Sequence, residues 1–117
     1  MDPDDIRDLF TGLGPVRVRR MFGGQGVFLD DLMFALEARG ELYLKADAET
    51  ASAFERAGSI QFVYTKDGRP MPMSYWRLPD AALDDPEEAS RWGRLALEAA
   101  RRSALTKKKA RAPRKRA

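Results

Sequence analysis

The chain has 117 residues, 44% of them hydrophobic and 33% charged, which fits one globular domain with a modest core and excludes a wholly disordered chain. It contains no cysteine and no histidine, which excludes disulfides, thiolate metal sites, most hydrolase triads and histidine-based zinc sites. The net charge of +3 is uneven: seven of the 21 basic residues lie from Ala104 onward with no acid among them, so the first 103 residues hold 14 basic against 18 acidic, a net of −4.

The chain opens Met1-Asp2-Pro3-Asp4-Asp5, acidic where a signal peptide is basic, and no apolar run approaches the roughly 18 residues of a membrane span. A cytoplasmic location without membrane association is the expectation. Residues 2–12 read as a helix. Asp2 can cap it, Pro3 suits its first position, and Ile6, Leu9, Phe10 and Leu13 fall on one stripe. Gly12 and Gly14 end it.

Val16 to Phe22 reads as a first strand. Val16, Val18, Arg20 and Phe22 share one parity, so Arg20 is expected to point toward the helix-covered face and to meet a carboxylate or carbonyls there. Gly23-Gly24-Gln25-Gly26 reads as a tight turn, and Gly26 to Leu29 as a second strand. In a third strand Leu32, Phe34, Leu36 and Ala38 alternate with Met33, Ala35 and Glu37. In a fourth, Leu42, Leu44 and Ala46 alternate with Glu41, Tyr43 and Lys45.

Asp47 opens a short helix with an Ala51, Phe54, Ala57 stripe, closed by Gly58. Ile60 to Tyr64 and Met71 to Leu78 are fifth and sixth strands joined by Lys66-Asp67-Gly68-Arg69. Pro70 and Pro72 place the start of the sixth at an edge. Asp85-Pro86-Glu87-Glu88 opens a last helix, with Ala89, Trp92, Leu95, Ala96, Ala99 and Ala100 inward, running to about Arg102. Residues 1–103 are thus one domain and 104–117 a disordered basic tail. The fold class is α+β, a two-layer, largely antiparallel sheet in the order α-β-β-β-β-α-β-β-α with helices on one face.

Several residue groups carry alternatives. The turn at Gly23 and Gly24 could cradle a phosphate, but it matches no phosphate-loop spacing and a structural hairpin is the simpler reading. Arg20 and Lys45 could bind an anion; for Lys45 a pair with Glu37 or Glu41 is simpler. Ser74 with Lys45 could form a nucleophile, though nothing in the spacing asks for it. Asp30, Asp31, Asp84 and Asp85 suit turns and caps better than a cation. Met21, Met33, Met71, Met73, Tyr43, Tyr75 and Trp76 are core material by default, yet some must lie on the face away from the helices and could meet a partner. The basic residues Lys107, Lys108, Lys109, Arg111, Arg114, Lys115 and Arg116 could attract nucleic-acid phosphates without sequence preference.

The block Arg19-Arg20-Met21-Phe22-Gly23-Gly24-Gln25-Gly26-Val27-Phe28, followed by Met33-Phe34-Ala35-Leu36, Leu42-Tyr43-Leu44-Lys45 and Met73-Ser74-Tyr75-Trp76-Arg77-Leu78-Pro79, resembles the N-terminal domain of the TfoX/Sxy competence-regulator family over roughly residues 5–103. The resemblance implies an antiparallel α+β fold and a bacterial regulatory protein rather than an enzyme; no cofactor or metal is expected. Full-length members act on transcription alongside the cyclic-AMP receptor protein and carry a second, helical C-terminal domain; here a stand-alone domain with a basic tail is expected. The expected partners are a protein, a transcription factor among the candidates, a second copy of the chain, and nucleic acid weakly through the tail. The competing reading is a small anionic-ligand binder or enzyme using Arg20, the glycine turn at Gly23 and Gly24, and Ser74.

Overall fold

The computed structural model describes residues 1–21 and 23–111. Phe22, expected to close the first strand, and Arg114, Lys115 and Arg116 lie outside the described residues. The elements are α1 (Pro3–Leu9), β1 (Arg17–Met21), β2 (Gly24–Leu29), β3 (Leu32–Ala38), β4 (Glu41–Lys45), α2 (Ala51–Arg56), β5 (Gln61–Lys66), β6 (Arg69–Arg77) and α3 (Pro86–Arg111), with short 3-10 turns at Thr11–Leu13 and Asp80–Ala82. The six strands form one sheet in the order β1-β2-β3-β4-β6-β5, every neighbouring pair antiparallel. The two-layer α+β architecture is therefore present as expected.

Local chemistry accounts for the boundaries. The Asp2 carboxylate accepts the Asp4 N–H at 2.8 Å and caps α1. Asp85 does the same for α3, accepting from Glu87 and Glu88 N–H at 3.1 and 3.3 Å. The two-residue turns Asp30-Asp31, Arg39-Gly40 and Asp67-Gly68 all take positive φ, the conformation that matches the twist of paired strands. Between the layers lies a core of Ile6, Phe10, Val27, Phe34, Leu42, Leu44, Phe54 and Leu78. Phe10 meets Phe34 edge-on at 5.3 Å between ring centroids.

The main departure is in β3. The β2–β3 ladder shifts register between Val27 and Phe28: Val27 pairs with Ala35, but Phe28 pairs with Met33. Phe34 is the extra residue, so Phe34 and Ala35 are both fully buried. A one-residue slip turns the following side chains over. Leu36 and Ala38, which share the alternation of Leu32 and Phe34, therefore face away from the helices, and Glu37 is buried on the core side.

Two further corrections follow. The glycine turn is shorter than expected: β2 already begins at Gly24, so Gly24, Gln25 and Gly26 are paired strand residues and only Gly23, at φ 77°, serves the reversal. The start of β6 lies at an edge as expected: its register with β4 spans Tyr75 to Arg77, so Pro70 and Pro72 have a neighbour on one side alone. Finally, α3 continues past Arg102 to Arg111, across the first part of the expected tail. Alanine, leucine, lysine and arginine are good helix formers, and cations suit a helix C-terminus.

Candidate functional site

The face of the sheet opposite the helices carries a groove of about 570 Å³. Its apolar lining comes from Met21 on β1, Met33, Leu36 and Ala38 on β3, and Phe62, Tyr64, Met73 and Tyr75 on β5 and β6. Residues from both outer strands line one space, so the sheet is curled around it. Strand alternation explains the set: Val27, Leu42 and Leu44 fill the core, and their neighbours point the other way. Gly26 opens the floor, since a Cβ there would come within 2.6 Å of the Met21 sulfur and 3.1 Å of the Met33 sulfur. Methionine and tyrosine suit an adaptable contact surface.

Polar groups rim it. Tyr43 packs on Phe62 at 4.7 Å between centroids. The Lys45 ammonium sits 5.3 Å from the Tyr75 ring, and Arg17 and Arg19 lie over Phe28 at 5.8 and 6.0 Å. Arg77 pairs with Glu41 at 3.1 Å and Asp80 at 3.0 Å. Burial raises the Tyr75 phenol above its usual pKa; burial, and then the Glu41 charge, do the same to Tyr43.

The anticipated site residues separate into two places. Lys45, Ser74 and Tyr75 come together: the Lys45 ammonium donates to Ser74 Oγ at 2.6 Å. Burial, followed by the charge of Lys107, lowers the Lys45 pKa, with Asp47 opposing. Ser74 is exposed, and neither it nor Lys45 lines the groove. Arg20 and the Gly23-Gly24 turn lie elsewhere. The register Arg20–Gln25–Glu37–Leu42 sets Arg20 three strands from β4 and on the helix-side parity, opposite to Lys45. Arg20 is exposed, not buried against a carboxylate, because β1 is an outer strand of the sheet.

Glu37 is the polar group that the alternation concealed. It is only 6% exposed. Its carboxylate accepts from Gln25 Nε2 at 2.8 Å and Gly40 N–H at 2.7 Å, and lies 3.7 Å from the N-terminal ammonium. Burial alone would raise its pKa; these three partners together outweigh burial and lower it.

A half-buried ion pair ties α3 to the segment after β4. Asp47 accepts from Arg102 Nε at 2.6 Å and Nη2 at 3.2 Å, while also accepting from Glu49 and Thr50 N–H at 3.0 and 3.2 Å. The Arg102 hydrogen bond, ahead of burial and the other contacts, holds the Asp47 carboxyl below its usual 3.8. A depressed pKa contributes stability that is present at neutral pH and lost as pH falls through the folded value. Asp47→Asn is therefore expected to lower the melting temperature by a few degrees at pH 7 and by progressively less below pH 3.8, checked by thermal melts across pH.

A family model described as the TfoX N-terminal domain matches residues 8–100. The chain belongs to the TfoX N-terminal domain family. Protein Sxy of Escherichia coli K12 is 30% identical over 101 residues, covering 86% of this chain and 48% of Sxy. DNA transformation protein TfoX1 of Aliivibrio fischeri is 32% identical over 93 residues, covering 74% of this chain and 44% of TfoX1. This TfoX N-terminal domain thus spans about half the length of the curated relatives it matches. The matched region contains the groove, the glycines beneath it and the Lys45–Ser74 contact. No helix among the described residues is long and apolar enough to cross a membrane.

Proposed function

We propose that this domain is a non-catalytic regulatory module whose sheet groove receives an apolar segment of a protein partner in the cytoplasm, a transcription factor being the partner class that best suits a relative named for DNA transformation. The single supporting observation is the groove itself, a methionine- and tyrosine-lined surface on the uncovered side of the sheet with a charged rim. The basic continuation of α3 adds salt-sensitive, sequence-blind attraction to nucleic acid. Lys107 and Lys108 are exposed there, while Lys109 and Arg111 continue the same helix.

One experiment tests both parts. The full chain, Leu36→Glu and a chain ending at residue 103 are used to capture partners from native lysate, with and without nuclease. Leu36→Glu is expected to retain at least about tenfold less of a nuclease-resistant protein partner, the size of effect that loss of an interface anchor produces. The shortened chain is expected to lose retention on DNA in low salt while keeping the protein partner. Equal capture by Leu36→Glu defeats the groove, and equal DNA retention by the shortened chain defeats the basic segment.

A further inference from the structure

The two outer edges of the sheet are built differently. β1 carries Arg17, Arg19 and Arg20 within five residues, the charged edge by which sheets avoid pairing with copies of themselves. β5 reads Gln61-Phe62-Val63-Tyr64-Thr65-Lys66, with no charge before its last residue and no proline. Ile60, Val63, Tyr64, Met71 and Met73, all of the β5–β6 hairpin and the residue leading into it, are exposed; Val63 is 49% and Tyr64 54% accessible.

The prolines of β6 fix which way β5 turns its backbone. Val63 pairs with Pro72 and Thr65 with Pro70. Proline has no N–H, so neither pair can exchange hydrogen bonds, and Val63 and Thr65 must turn their own N–H and C=O outward. Ile60 C=O accepts from Arg77 N–H at 2.9 Å inside the sheet, so Gln61, the next residue, also turns outward. Among the described residues, three successive outward positions are therefore left without a strand partner.

We propose that β5 pairs with β5 of a second copy of this chain about a two-fold axis through Val63, joining the two sheets edge to edge. In that register Val63 exchanges both hydrogen bonds with its symmetry mate, and Gln61 does so with Thr65 of the other copy. Phe62 then stands directly opposite the other copy's Tyr64, in the closer, non-hydrogen-bonded position where aromatic pairs pack best. A second copy suits this edge because the central residues are uncharged and self-complementary, whereas at β1 identical arginines would face each other. Phe62 and Tyr64 also line the groove, so the pairing makes the two grooves one continuous surface. The pairing itself is independent of what the groove binds.

The test is solution mass by sedimentation as a function of concentration, on the full chain and on Val63→Lys. The full chain is expected to approach twice its 13.2 kDa mass. Val63→Lys brings two like charges face to face at the axis and is expected to weaken the dimer about tenfold or more. Val63 is half exposed and its outward N–H serves no internal bond, so circular dichroism should show an unchanged fold. A second measurement avoids the interface: the chain has no cysteine, so a nitroxide on Lys66→Cys reports one site. With six residues of antiparallel offset, the two labels should lie about 20 Å apart. A monomer at every concentration, a dimer indifferent to Val63→Lys, or a much longer label distance each overturns the proposal.

Discussion

Phe54→Ala is expected to lower the unfolding free energy by about 4 kcal/mol, the range for removing a fully buried aromatic ring. Phe54 is 0% exposed and is the one buried residue of α2. Its ring lies 4.7 Å from Trp92 of α3 and 6.3 Å from Trp76 of β6, so it joins all three elements. A six-residue helix cannot persist on propensity alone. Without Phe54 the helix has only half-buried or exposed alanines to hold it, and the base of the β5–β6 hairpin loses its cover. Urea unfolding followed by tryptophan fluorescence is the natural measurement, because both tryptophans of the chain flank the deleted ring. An unfolding free energy within about 1 kcal/mol of wild type would show that α2 is held by something other than this ring.

The fold was legible where one local signal governed each element. Asp2 and Asp85 announced helix starts, and paired positive-φ residues such as Asp67-Gly68 announced hairpins. The Phe54 stripe gave α2 its inward side. What escaped was set by long-range pairing. The bulge opposite Val27 leaves no mark in β3, whose alternation of Leu32, Phe34 and Leu36 looks regular. That bulge alone sends Leu36 to the groove and Glu37 to the interior. Met21, Met33, Met73 and Tyr75 could be named as adaptable groups, but the curl that gathers them with Phe62 and Tyr64 depends on the pairing of all six strands. Likewise Lys45 and Ser74 are 29 positions apart and meet only because β4 and β6 are neighbours. The reach of α3 past Arg102 was hidden for the opposite reason: its apolar stripe ends, but helix propensity and the Asp47–Arg102 clamp continue it.

Gly24→Ala is expected to cost about 3 kcal/mol, in the upper range for forcing an atom into a packed site. The neighbouring Gly23→Ala should cost about 1 kcal/mol. The two glycines look alike in sequence but answer to different constraints. Gly23 takes φ 77° with nothing within 4 Å of a Cβ, so alanine there meets only the left-handed backbone penalty. Gly24 has no such φ; a Cβ there would lie 2.1 Å from the Glu37 carbonyl oxygen, and that neighbour is backbone that cannot rotate away. β2 and β3 would have to separate at the point where Gln25 and Gly40 hold the buried Glu37 carboxylate. The disturbance therefore reaches both sides of the sheet: the ionised group beneath it and the Met21–Met33 floor of the groove above. Thermal melts of the two variants distinguish these mechanisms. If Gly23→Ala proves the more damaging, the requirement at this pair is for turn conformation, and the groove floor does not depend on the close approach of β2 and β3.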